Sequence, residues 1–128
     1  MSLWLVGLGW VGMLMAQGAE QTLQLMESAL RRGDAVQVAR LLAPQVEIFL
    51  SGSPRIYSSM QARYVLQEFF RQNPPRTFTL LHKGRSENIL YAIGSYISTE
   101  GRWDVSFFTR FHQGRYLVEQ IRFEPVGE

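Results

Sequence analysis

The sequence predicts an α+β fold in which three N-terminal helices pack on a strongly curved, mainly antiparallel sheet of four long strands plus a short strand pair, enclosing a cone. Apolar residues recur at helical spacing mainly before Pro75. After Pro75 they alternate with polar residues, and Glu100-Gly101 and Gln113-Gly114 mark hairpin turns. Helices followed by a run of strands are typical of an α+β domain.

The chain begins with an apolar segment that differs from everything after it. Residues 3–16 carry no charge, and Ala16-Gln17-Gly18 resembles a cleavage site with small residues. The run is too short to span a bilayer. We therefore predict a removable signal over residues 1–18, export to the periplasm or the extracellular space, no stable membrane anchor after removal, and a single domain over residues 19–128. The alternative is a buried first helix or strand.

Three segments have helical spacing. The first covers Gln21–Arg32 and ends at Gly33, and Asp34 caps the second, which stops before Pro44. The third begins at Ser58 or Ser59 and runs to about Asn73. The buried stripe expected on this third helix consists of Ala62, Val65, Leu66, Phe69 and Phe70.

The predicted strands are short before the third helix and long after it. The short pair covers Val46–Leu50 and Arg55–Tyr57, separated by the turn Ser51-Gly52-Ser53-Pro54. The long strands cover Phe78–Gly84, Ile89–Thr99, Trp103–His112 and Tyr116–Glu124. Alternation assigns one face of each long strand to the helices, and this parity directs Phe78, Ile93, Phe107 and Ile121 into one apolar concavity.

Composition excludes several classes of function. The chain has 128 residues and no cysteine, which rules out disulfides, thiolate zinc sites and cysteine nucleophiles. The formal net charge is +2 and the basic residues form no cluster, so we predict no nucleic-acid partner. His82 and His112 are the only histidines, and we predict neither a metal nor a cofactor.

Two sets of side chains are candidates for function. Glu119 is predicted to point into the cone between Leu117 and Ile121, where a carboxylate needs a partner. The alternatives are a bulge that turns it to solvent, or a hydrogen bond to Tyr91 or Thr109. The ligand-pocket candidates are His82, Tyr91, Ser95, Thr109 and Glu119. The outer sheet face supplies the candidates for a homodimer interface: Tyr96, Phe108, Arg110, Tyr116 and Val118.

Several short stretches carry a resemblance to known proteins. Ala29–Asp34, Val46-Glu47, Gln67–Phe70 and Arg110-Phe111 occur in an order that resembles the nuclear transport factor 2-like superfamily, which includes the ketosteroid isomerases. Tyr57–Ala62, Phe69–Pro74, His82–Gly84, Ile93-Gly94 and Ile121–Glu124 resemble more closely an uncharacterised exported bacterial family, the domain of unknown function numbered 4783. This resemblance implies a fold and an export route but no activity.

The isomerase resemblance fails at the residues that would carry the chemistry. Those enzymes use a carboxylate base, a tyrosine and a protonated aspartate, and the matching positions here are Ile48, Met26 and Phe107. None of these side chains moves a proton. We therefore expect a non-catalytic binding module for a small apolar molecule or a peptide. The alternatives are an interaction domain that acts through its outer sheet face, and a hydrolase or isomerase-like enzyme that uses Glu119 and His82.

Overall fold

A computed structural model describes the backbone of residues 3–127 and the side chains of residues 18–127. This part of the chain folds as three helices packed on a curved, mainly antiparallel sheet of six strands. The elements in chain order are α1 (Leu3–Arg32), α2 (Ala35–Arg40), β1 (Leu42–Leu50), β2 (Arg55–Ser58), α3 (Ser59–Gln72), β3 (Pro75–Ser86), β4 (Ile89–Ser98), β5 (Gly101–His112) and β6 (Arg115–Pro125).

Several element boundaries differ from the prediction, and β3 is longer at both ends than the predicted strand Phe78–Gly84. The first helix starts at Leu3 instead of Gln21, and β1 starts at Leu42, so that the second helix is shorter than expected. Pro44 lies inside β1 because the pairing of β1 with β6 shifts register between Leu42 and Glu47, where the missing N–H of proline costs no ladder bond. The predicted signal covers residues whose side chains lie outside the described part, and it stays a prediction.

The predicted helix caps and the end of α1 at Gly33 are confirmed in atomic detail. The Asp34 carboxylate caps α2 by accepting from the Gln37 N–H at 3.0 Å. Ser58 and Gln61 form a reciprocal capping box at the start of α3. Gly33 ends α1 with a φ of 64°, a left-handed conformation that favours glycine.

The sheet has the strand order β2-β1-β6-β5-β4-β3. Neighbouring strands are antiparallel except for β1 and β6, which are parallel. The helices cover one face, here called the inner face, and the opposite face is called the outer face. The core lies between helices and sheet and includes Leu23, Met26, Leu30, Leu66, Phe69, Phe78, Tyr96, Phe107, Ile121 and Phe123.

The parity predicted for β4 is wrong. Leu90, Ala92 and Tyr96 are buried on the inner face, whereas Tyr91 and Ile93 are 38% and 40% exposed. The larger side chains Ile89, Tyr91 and Ile93 were expected on the inner face, but the space between β4 and the helices is too small for them. A Cβ at Gly94 would lie 2.5 Å from Cζ of Phe78, so the ring of Phe78 occupies the place of a side chain.

The side-chain directions predicted for β6 are correct at Ile121 and Phe123. They are wrong at Val118 and Glu119. Gln120 pairs with Phe108 while Val118 pairs with Thr109, which leaves Glu119 as an extra, bulged residue. The bulge reverses the alternation. Val118 is therefore completely buried, and Glu119 points to the outer face instead of into the cone.

Among the helices of the described residues, none has the combined length and hydropathy that a bilayer span requires.

Candidate functional site

Side chains fill the interior of the cone. Met26, Ile48 and Phe107, which occupy the positions matched to the isomerase catalytic groups, are 0%, 2% and 4% exposed and belong to the core. Phe69 packs at 4.5 Å between ring centroids on Phe123, and both rings contact that of Tyr96. Where the sequence predicts a ligand-binding concavity, the described structure has a packed aromatic cluster.

Tyr96 carries the polar group of this cluster. Its hydroxyl donates to the carbonyl oxygen of Asn73, the C-cap residue of α3, at 2.5 Å. Burial raises the pKa of the Tyr96 phenol well above its ordinary value because the tyrosinate would lose its hydration. Tyr96 was expected on the outer sheet face, and the reversed parity of β4 places it in the core instead.

The five predicted pocket residues are not brought together. His82 and Tyr91 are exposed on the outer face, with ring centroids 6.1 Å apart, and Ser95 lies on the same face. Thr109 is fully buried on the inner face and donates to the carbonyl oxygen of Leu90 at 3.3 Å, so its hydroxyl is satisfied by the backbone. Glu119 lies on the outer face.

Glu119 forms a small ionic network at the surface. One carboxylate oxygen accepts from Nε of Arg110 at 3.0 Å, and the other lies 2.6 Å from Nε2 of His112. The partner is thus His112 and not His82, since the bulge turns Glu119 toward the outward side chains of β5. All three side chains are partly exposed to solvent, as in an ordinary surface network.

The predicted dimer residues divide between the core and the surface. Tyr96 and Val118 are completely buried, and Tyr116 packs against the core and contacts Phe111 at 5.2 Å. Phe108 and Arg110 do lie on the outer face. There Phe108 belongs to an apolar group that we call the outer patch, defined by Phe49, Tyr91, Ile93 and Phe108.

Arg122 borders the outer patch and shields part of it. Its guanidinium lies 4.5 Å from the centre of the Phe49 ring, in a cation–π arrangement. It also lies 3.4 Å from the carboxylate of Glu124. Gln120 donates to the carboxylate of Glu47 beside the patch. The outer face therefore combines exposed apolar area with both signs of charge.

A second apolar surface is an open cleft between α3 and the start of β5, which we call the α3 cleft. It has a volume of about 710 Å³, within the range of small-molecule pockets. Trp103 stands edge-to-face with Phe69 at 5.0 Å on one side, and Tyr64 is 57% exposed on the other. The apolar lining residues are Leu50, Tyr64, Val65, Phe69 and Trp103.

The polar groups of the α3 cleft are already paired within the protein. The Glu68 carboxylate accepts from Arg71 and from Gln72, and the hydrogen bonds from Arg71 lower the pKa of Glu68. The Asn73 amide donates to the carbonyl oxygen of Phe69. The cleft thus presents aromatic and aliphatic walls without an uncompensated charge.

Sequence reasoning missed the α3 cleft. Tyr64 lies beside the predicted buried stripe of α3, and a large aromatic residue outside such a stripe was the available signal. The part played by Trp103 depends on which residues of β1 and α3 meet the start of β5, and that is decided by tertiary packing. Within the described residues, no group of three or more His, Cys, Asp or Glu side chains is placed to hold a metal ion.

Comparison with known proteins gives one family match. Residues 23–124 match the model of the family "Domain of unknown function (DUF4783)". The chain belongs to this family. No curated protein matches it.

Solved structures share the fold over most of their length. A DUF4783 family protein from Bacteroides ovatus ATCC 8483 is 26% identical, with a TM-score of 0.79 over 81% of this chain and 94% of its own. One from Bacteroides uniformis ATCC 8492 is 21% identical, with a TM-score of 0.79 over 82% and 97%. An NTF2-like protein of unknown function from Shewanella baltica OS155 is 12% identical, with a TM-score of 0.67 over 88% and 94%. The predicted family is confirmed, and the similarity to the NTF2-like structure confirms the predicted fold.

Proposed function

We propose that this DUF4783 protein is a non-catalytic binding module that holds a small, uncharged apolar molecule, or an apolar side chain of a peptide, in the α3 cleft. The observation that carries the proposal is the contrast between the interior of the cone and the α3 cleft. The interior of the cone is packed with side chains, while at the α3 cleft Trp103 is partly exposed and Tyr64 is 57% exposed to solvent. Binding of an apolar ligand to such walls is favourable because it removes apolar surface from water.

The chemistry of the cleft favours an uncharged ligand. Glu68 would attract a cation, but Arg71 and Gln72 already occupy its carboxylate. A charged ligand would lose hydration on entering the cleft without gaining a free partner. A flat or aliphatic molecule would instead pack between Trp103 and Val65, where aromatic contacts add to the area buried.

Trp103 fluorescence provides the test. In a chain carrying Trp4→Phe and Trp10→Phe, Trp103 is the sole tryptophan. We expect the neutral probe N-phenyl-1-naphthylamine to bind and to quench this emission. Val65→Glu places a charge in the apolar wall and should weaken binding by about tenfold or more. Gln67→Glu introduces the same charge on an exposed position of the same helix and serves as the control. Equal probe binding by both variants would refute the proposed site.

A second candidate function is supported by the outer patch. Phe49, Tyr91, Ile93 and Phe108 are apolar groups on the sheet face that none of the described helices covers, and both signs of charge border them. A self-complementary patch of this kind suits a two-fold homodimer, in which each copy offers its cations to the other's carboxylates. This candidate keeps Phe108 and Arg110 from the predicted interface. It leaves out Tyr96 and Val118, which lie in the core, and Tyr116, which packs against the core.

Sedimentation equilibrium tests the homodimer. We expect a dimer at micromolar concentration, and we expect Phe108→Glu to produce a monomer with an unchanged circular dichroism spectrum. Thr79→Glu is the matched control, because Thr79 is an exposed residue of β3 on the same outer face. A wild-type chain that stays monomeric up to about 100 μM would remove this candidate, because stable interfaces have far lower dissociation constants.

Export is the third part of the proposal. The charge-free run of residues 3–16 and the small residues that follow it support a signal that is removed after Gly18. Mass spectrometry of the protein from the cell envelope of its source should then give an N-terminus at Ala19. An intact N-terminus in the cytoplasmic fraction would contradict this part and leave the binding proposal standing.

A further inference from the structure

One edge of the sheet is formed by a long strand, and along that edge no further strand pairs with it among the described residues. β3 lies at the end of the strand order and pairs only with β4, whereas the opposite edge is β2, a strand of 4 residues. β3 has 12 residues, and Thr79, Leu81, His82, Lys83 and Arg85 are exposed. A long edge strand presents N–H and C=O groups that another strand can pair with.

The register shows which backbone N–H and C=O groups of β3 point away from β4, toward the free edge of the sheet. Ser86 and Ile89 flank the two-residue turn Glu87-Asn88, so this closing pair exchanges backbone hydrogen bonds. Hydrogen-bonded and non-bonded pairs alternate along an antiparallel ladder. The non-bonded pairs are therefore Arg85 with Leu90 and Lys83 with Ala92, and Lys83 and Arg85 direct their N–H and C=O groups away from the sheet.

The same stretch of β3 has a charge of one sign. Residues 75–86 contain Arg76, Lys83 and Arg85 and no acidic residue. Lys83 reaches the carboxylate of Glu20 on α1 at 3.2 Å, and both side chains remain about half exposed. Arg85 takes part in none of the ion pairs found among the described side chains. The free backbone groups thus belong to the two residues whose cationic side chains are exposed, Lys83 and Arg85.

We propose that β3 accepts an extended acidic segment of a partner protein, which adds to the sheet as a seventh strand. Backbone hydrogen bonds from Lys83 and Arg85 hold the segment, and its carboxylates meet their side chains. A second copy of this chain is the wrong occupant, since two β3 strands paired across a two-fold axis would bring these cations close together. The bulge at Leu81 and the cations discourage neutral strands, and opposite charge overcomes that protection.

Fluorescence anisotropy with a defined probe tests the proposal. The probe is a fluorescein-labelled, capped octapeptide of alternating Glu and Val, and the comparison peptide has Lys in place of Glu. We expect the acidic peptide to bind the full chain at least about tenfold more tightly, with affinity falling as salt is added. The double variant Lys83→Glu, Arg85→Glu should lose about tenfold or more in affinity. Arg55→Glu on β2, the other edge strand, should bind like wild type.

Amide hydrogen exchange supplies a second readout that does not depend on a variant. In the free protein the amides of Lys83 and Arg85 should exchange rapidly, while those of His82 and Gly84, which bond to β4, exchange slowly. Saturation with the acidic peptide should slow Lys83 and Arg85 selectively. Absence of binding, equal binding of both peptides, or binding without this alternating protection would overturn the proposal.

Discussion

Replacing Tyr96 by Phe removes one hydroxyl from the centre of the core and leaves the ring in place. The hydroxyl donates to the Asn73 carbonyl oxygen at 2.5 Å, and Tyr96 is 0% exposed. Loss of a buried hydrogen bond that leaves its acceptor without a partner costs roughly 1–3 kcal/mol. Because Asn73 is the C-cap of α3, some relaxation toward solvent is available to the carbonyl group. We expect Tyr96→Phe to lower the free energy of unfolding by about 1–2 kcal/mol at pH 7.

The same substitution predicts a dependence on pH. Burial raises the pKa of Tyr96 in the folded state above the value of about 10 in the unfolded chain. The folded state therefore favours the protonated phenol. This contribution is fully present below pH 10 and is lost as the pH rises further, by up to about 1.4 kcal/mol per pH unit. Tyr96→Phe lacks this contribution, so the gap between wild type and variant should narrow above pH 10.

Urea unfolding followed by far-ultraviolet circular dichroism measures both effects. The free energies of wild type, Tyr96→Phe and the control Tyr64→Phe should be compared between pH 7 and pH 11. Tyr64 is 57% exposed, and its loss of a hydroxyl should stay within about 0.5 kcal/mol. If Tyr96→Phe matched wild type at pH 7, or if the gap stayed constant up to pH 11, Tyr96 would not be the buried donor described here.

Two further substitutions test the packing and the helix caps. Gly94→Ala places a Cβ 2.5 Å from Cζ of Phe78 and 2.8 Å from the Thr79 carbonyl oxygen. We therefore expect the free energy of unfolding to fall by about 1–3 kcal/mol. Gly127→Ala, whose Cβ would have no atom within 4 Å, should leave the free energy unchanged in the same urea titration. Asp34→Ala removes the α2 cap and should cost about 1 kcal/mol at pH 7. The backbone hydrogen bond from Gln37 lowers the pKa of Asp34, so its contribution is present above the unfolded-state pKa and is lost as the pH falls through the folded-state pKa. A deficit in Asp34→Ala that persisted unchanged at pH 2 would argue against this cap.

Much of the fold was predictable because its signals are local. Ser58 and Asp34 cap helices through residues three positions away, and Gln113-Gly114 adopts positive φ values of 42° and 91° in its turn. The candidate sites were far less predictable. Glu119 shows why: a single bulged residue reversed its direction, and a bulge leaves no clear mark in the hydrophobic pattern.

The amino-acid sequence by itself determined the element types, their order and the family, because helix periodicity, strand alternation, caps and turns depend on residues close together in the chain. Only the tertiary structure decided which face of β4 is buried. Ile89, Tyr91 and Ile93 are larger than Leu90, Ala92 and Gly94 as a set, yet the smaller set faces inward. The inner side of a strongly curved sheet offers limited volume, and the ring of Phe78 and the helices fill it. Available space, and not hydrophobicity alone, therefore determined where the open apolar surfaces of this protein lie.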